Sequence, residues 1–214
     1  ALYLRMPAVA TLVLAVGAGY LIGGVRSALV VAALTLFIAL SPWWDRALVT
    51  LYMATFGVVI SCLIGFTVGT ICFQNKKSAA FMLGVCDIFQ TFPSFVYLIP
   101  VMMLFGITDT SVLIAVIVYA TIPATRYTIE GLRSVPVGLH EAATMSGVNK
   151  FQRLTKIEFP LAFPHMMLGL NQTIVFALFM VIIGAFIGTE DLGQYILKAL
   201  SDKNGAGIGL TLGI

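Results

Sequence analysis

Charge is what this chain has least of. Of 214 residues only 10% are Asp, Glu, Lys or Arg, whereas soluble domains carry about a quarter. That shortage, with 60% hydrophobic residues and a mean hydropathy of +1.04, excludes a soluble globular domain. Cysteine is scarce as well. Cys62, Cys72 and Cys86 lie in or beside apolar runs with no CxxC pair, which reads as buried inert thiols and not a redox or metal centre. His140 and His165 stand alone, so neither a catalytic role nor a metal site is assigned to them. Segments of about ten residues with alternating polarity are missing, which argues against a β-barrel. No G-x4-G-K-[ST] phosphate loop occurs, so this stretch does not itself hold ATP. The net charge of +3 gives no sign of a nucleic-acid partner.

What is present is long apolar sequence. A membrane helix needs about 20 such residues to cross a ~30 Å hydrocarbon core, and lipid leaves no free backbone group satisfied, so spans of this kind are helical. The runs predict spans at 7–24, 27–44, 47–73, 82–105, 110–128 and 161–187, with another starting near 206. This is an all-α integral membrane chain of about 6–7 helices, with 1–44 as N-terminal transmembrane helices and 45–214 as a core transmembrane domain. The last residues, Gly209 to Ile214, read like the start of a span, so the chain is expected to continue. Trp43 and Trp44 suit an interfacial aromatic belt.

With the 129–160 loop inside, Arg26, Lys76, Lys77, Arg126, Arg133, Lys150, Arg153 and Lys156 fall on the cytoplasmic side. Arg5, Arg46, Lys198 and Lys203 fall outside, which agrees with the positive-inside rule. The segment from Glu190 to Lys203 reads as an amphipathic helix on the outer surface or as an ordinary exposed loop helix.

Two polar stretches interrupt the apolar pattern. In 134–158, Pro136 suits a first helical turn and Gly147 a left-handed helix end. Asn149 with Gln152 forms a capping-box pattern, and Pro160 is expected to limit the second helix. Phe151, Leu154 and Ile157 would share one side of that helix, with Glu141, Ala142 and Ala143 on the first. An apolar ridge with a charged rim suits a partner's groove. In the fourth span, Asp87, Gln90, Thr91 and Ser94 stand at i, i+3, i+4 and i+7, with Tyr97 one turn on. Charge within a span is costly, so this stripe should face protein or a water-filled path. Pro93 and Pro100 could kink it. Gly65-x3-Gly69 and Gly184-x3-Gly188 allow close helix packing, and Asn171, Gln172 and Thr173 form a second polar cluster.

The spacing Glu141-Ala142-Ala143, Gly147, then Ile157-Glu158-Phe159-Pro160 resembles the "EAA" loop of ABC-importer membrane subunits, E-A-A-x3-G-x9-I-x-L-P, with Phe159 where Leu is usual. Gln90-Thr91-Phe92-Pro93-Ser94-Phe95-Val96-Tyr97-Leu98-Ile99-Pro100 resembles the Q-T-x-P-x-F-V-Y-L-x-P signature of glycine betaine/proline betaine permeases. Asn171-Gln172-Thr173, Ile187-Gly188 and Asp191-Leu192-Gly193 add to that likeness, which runs from about residue 41 to 214. The resemblance implies a type I (MetI-like) importer fold in a bacterial inner membrane. It implies a permease homodimer working with ABC ATPase subunits, which would bind ATP and Mg, and an extracytoplasmic substrate-binding protein. The cargo would be a quaternary ammonium solute such as glycine betaine, proline betaine or choline. Glu141, Ala142, Ala143, Gly147, Phe151, Leu154 and Ile157 would couple to the ATPase. Asp87, Gln90, Thr91, Phe92, Ser94, Phe95, Tyr97, Asn171 and Gln172 would line the path. An ion-gradient-driven secondary transporter with Asp87 as its coupling site is the alternative, and a passive channel a third.

Overall fold

The computed structural model describes residues 8–42 and 44–185, and every regular element among them is helical. They divide into two compact units, one holding residues up to 53 with 184 and 185, the other 54–183. In the first unit, α1 (Ala8–Leu40) is broken where Gly23 and Gly24 leave helical geometry. A Cβ on Gly19 would lie 3.1 Å from a methyl of Val31. An unbroken helix would hold residues twelve apart at about 18 Å, so the break folds the two halves together. Two helices therefore stand where two spans were predicted, although the first apolar stretch, Ala10–Leu21, is shorter than a full span.

The second unit is built around α5 (Asp109–Arg133), whose Val112, Ala115, Val116, Ala120, Ala124, Ile129 and Leu132 are buried. Thr108 caps its start by accepting from the Ser111 amide at 3.2 Å. Helix α2 (Trp44–Phe73) lies against it along a seam of small residues. A Cβ on Gly65 would meet the Ala124 Cβ at 2.4 Å and the Thr125 backbone at 2.9 Å, and one on Gly69 would meet Thr128 at 2.7 Å. Lipid tails are as apolar as Leu, so close packing and hydrogen bonds hold membrane helices together. The glycine pair supplies the first, and Ser61 supplies the second by donating to the Ile117 carbonyl at 3.0 Å.

The fourth predicted span is not one helix. Helix α3 (Lys76–Thr91) turns by 89° into α4 (Phe95–Phe105). Pro93 explains the break, because its ring drives the preceding residue out of the helical region, and Phe92 is extended at φ −72°, ψ 138°. A single helical face running from Asp87 through Ser94 to Tyr97 is thereby corrected.

Helices α6 (Val137–Met145) and α7 (Lys150–Arg153) form the predicted hairpin. Pro136 stands just before α6 at extended ψ, not in its first turn. The larger correction concerns Pro160. The chain passes from α7 through one π turn, Leu154–Glu158, straight into α8 (Phe159–Ala185). A proline ring clashes with the carbonyl four residues back and offers no N–H. A π turn widens the ladder at that point and lets the helix continue. The predicted helix at 190–203, the span near 206 and the residues from Ile187 onward lie outside the described residues. Many large side chains on these helices, among them Leu63, Ile71, Met103, Leu104 and Phe179, are exposed on the chain, as lipid-facing positions must be.

Candidate translocation and coupling sites

The polar residues of α3 meet α5 at one side chain. Arg126 donates through Nη1 to Asp87 Oδ1 and, at 2.9 Å, to Gln90 Oε1, and through Nε to Glu130 Oε1 at 3.0 Å. Glu130 follows Arg126 by one helical turn, the spacing at which side chains on a helix touch. The three charged side chains keep 31%, 59% and 39% of their surface exposed, for Arg126, Asp87 and Glu130 respectively. Arg126 lies seven residues inside the end of α5, about 10 Å along the axis. Half-exposed charges on so apolar a helix are not suited to hydrocarbon, so they face water or protein.

Beside them is a cavity of about 450 Å³, lined by Gln90, Pro123, Arg126, Tyr127, Glu130, Gln172 and Phe176. Helix α8 is brought close here because Gly169 leaves room for the Tyr127 side chain, whose Cβ would stand 2.7 Å from an added one. Aromatic rings back one wall. Tyr119 stacks on Phe176 at 4.8 Å and meets Tyr97 at 5.0 Å, and Tyr97 in turn lies 6.0 Å from Phe89.

Of the residues named for the path, the structure gathers Asp87, Gln90 and Gln172 around Arg126. Tyr97 is buried and donates its hydroxyl to the Phe89 carbonyl, where it serves the bend. Thr91 bonds back to Ile88 at 2.7 Å, and Phe92, Ser94 and Phe95 sit at or just beyond the break, away from the cavity wall. Asn171 is exposed and does not line the cavity, since one residue rotates a helix by about 100°. The sequence reading missed Arg126, Glu130, Tyr127 and Phe176. The signal was there: an arginine inside an apolar span needs a partner, and Glu130 lay four residues on.

The hairpin is specified residue by residue. Gly147 has φ +72°, a region in which Cβ-bearing residues are strained. It closes α6 with the Val148 amide on the Ala143 carbonyl and the Gly147 amide on the Thr144 carbonyl, both at 3.1 Å, the Schellman pattern. Asn149 then accepts from the Gln152 amide at 2.8 Å while the Gln152 side chain accepts from the Asn149 amide at 3.2 Å. Among the apolar residues, Val137, Leu139, Met145 and Phe151 are exposed at 69%, 41%, 91% and 73%, so a hydrophobic surface stands free on the hairpin. Glu141 and Ala142 are exposed beside it, and Ala143 is buried. Leu154 does not belong to the free ridge. It packs with Leu132, Ala162 and Met166, and Ile157 is half-buried. Glu158, which the sequence reading used only as spacing, is 2% exposed and accepts from Arg153 Nε at 2.9 Å across the π turn.

Apolar spans, a charged cluster sunk among them and a protruding hairpin between two spans define a multi-pass helical membrane domain. Residues 57–214 match the family model described as binding-protein-dependent transport system inner membrane component, and the chain belongs to that family. It is 90% identical over 214 residues to the trimethylamine N-oxide transport system permease protein TmoV of Pelagibacter ubique (strain HTCC1062), covering 100% of this chain and 30% of that protein. The protein of the same description from Ruegeria pomeroyi is 46% identical, over 99% of this chain and 32% of its own length. The glycine betaine/proline betaine transport system permease protein ProW of Escherichia coli (strain K12) is 34% identical over 93% of this chain and 56% of that protein. The chain thus spans about a third of the first two relatives. The inward-facing MetNI methionine ABC transporter superposes with a TM-score of 0.65 at 22% identity, over 77% of this chain and 84% of that one, which shows a MetI-like fold.

Proposed function

We propose that this chain is the membrane-spanning part of a permease subunit in an ATP-driven importer of small quaternary-ammonium solutes of the trimethylamine N-oxide and glycine betaine type. The observation that carries this reading is the exposed apolar surface of the α6–α7 hairpin, joined through the π turn to the membrane helix α8. A partner that grips the hairpin can move α8 without bending a loop. That partner would be an ABC ATPase holding ATP and Mg, since this sequence has no phosphate loop. The permease itself is then non-hydrolytic and works as a homodimer that receives solute from an extracytoplasmic binding protein. Asp87 suits an ion-coupling site poorly, because Arg126 already neutralises it.

The test uses the full-length protein with its ATPase and binding protein in sealed vesicles. Labelled trimethylamine N-oxide or glycine betaine should accumulate on ATP and stop with vanadate. Glu141→Lys and Gly147→Val should each cut uptake sharply while the protein still inserts. Uptake driven by an ion gradient without ATP would overturn the reading.

A further inference from the structure

The cavity between α3, α5 and α8 carries both halves of a charge-pair receptor. Its wall holds the Gln90 and Gln172 amides, the Arg126 guanidinium, the Glu130 carboxylate and the rings of Tyr127 and Phe176. Its volume of about 450 Å³ falls within the ~300–1,000 Å³ usual for small-molecule sites. Arg126 is fixed through Nε and Nη1 by Glu130, Asp87 and Gln90, which leaves the two N–H groups of Nη2 without a bond among the described residues. A guanidinium held in place by acids, with donors to spare, needs no reorganisation to receive an oxyanion. Phe176 stacks on Tyr119 at 4.8 Å, which steadies its ring.

We propose that this cavity binds a small zwitterion in transit, its oxyanion on Arg126 beside the Gln172 amide and its quaternary ammonium against Phe176 and Tyr127. This rests on the permease reading above and names what the permease selects. A quaternary ammonium has no N–H to donate, so aromatic faces and a nearby carboxylate are the groups here able to attract it. Trimethylamine N-oxide and glycine betaine each carry both charges, whereas choline carries only the cation. Choline has no oxyanion and would leave the spare Arg126 donors empty, so the site favours the zwitterions over it. Binding is weak by design, since each contact is partly open to water and a conduit must release its cargo.

The experiment places Gln172→Cys in the full-length complex, with Cys62, Cys72 and Cys86 replaced by serine, and follows modification by a water-soluble thiol reagent. Trimethylamine N-oxide and glycine betaine should slow the modification severalfold and choline should not. Tyr127→Cys gives the same readout where Gln172→Cys impairs assembly. In a second arm, Phe176→Leu should lower solute moved per ATP about tenfold, the scale of one lost cation–π contact, and Phe176→Tyr, which keeps an aromatic face, should restore most of it. Modification indifferent to both zwitterions, or slowed equally by choline, would overturn the proposal. Unaltered vesicles that take up neither solute on ATP would overturn the permease reading beneath it instead.

Discussion

Helix α5 does two different jobs on two of its faces. Toward α2 it meets glycine with Val116, Ala124 and Thr128, in a seam so close that an added Cβ at Gly57 or Gly65 would come within 2.4 Å of its neighbour. Toward α3 and α8 it presents Arg126, Tyr127 and Glu130 to a cavity of about 450 Å³. The first face is held by packing and has no room to rearrange. The second is held by ion pairs and hydrogen bonds that water can reach. A single helix thereby carries the packed wall of the fold on one face and the polar wall of a cavity on another.

That contrast makes graded predictions. Gly65→Leu attacks the dry seam, where the obstructing atoms are the Ala124 side chain and the Thr125 backbone. Overpacking of this kind costs about 3 kcal/mol, and the yield of folded protein in detergent should collapse. Arg153→Ala comes next. It strips the guanidinium from a Glu158 carboxylate that is only 2% exposed, at a cost of ~3 kcal/mol for breaking a buried pair that water entering beside the 32%-exposed Arg153 should reduce. The melting temperature should drop clearly, with the protein still inserting.

Arg126→Gln on the polar face should cost less, about 1–2 kcal/mol, because its partners are already part-exposed and screened. Adding Asp87→Asn should restore most of that stability but not transport, which separates the structural share of Arg126 from its share in the cavity. Asn171→Ala is the smallest change. The residue is exposed and off the cavity wall, so melting should shift by no more than about 0.5 kcal/mol equivalent and uptake should match the unaltered protein. An Asn171 effect as large as that of Gln172 would erase the line drawn between wall and surface.

The span pattern was legible because membrane crossing imposes one length and one polarity, and 44–73, 109–133 and 159–185 fall close to the predicted runs. Gly147 and the Asn149–Gln152 capping box were legible for another reason. Each is a local device whose partners lie within five residues, so spacing alone specifies it. What spacing could not give was the tertiary partner. Asp87 was seen as a charge that needed company, but the company came from Arg126, thirty-nine residues away on another helix. The face drawn through Ser94 and Tyr97 failed at Pro93, where a helical wheel assumes a helix that the proline ends. Pro160 failed in the opposite sense, because a π turn absorbed what a regular turn could not.

The most direct measurement of the two-faced helix is thiol accessibility along α5 in the full-length, cysteine-depleted protein in its membrane. Ala124→Cys and Thr128→Cys should resist a water-soluble reagent, since both positions are buried against α2. Tyr127→Cys and Glu130→Cys, one to three positions away on the cavity wall, should react, and their rates should change when ATP is added. Equal protection at all four positions would mean that no water-lined path runs along α5, and the account would fall.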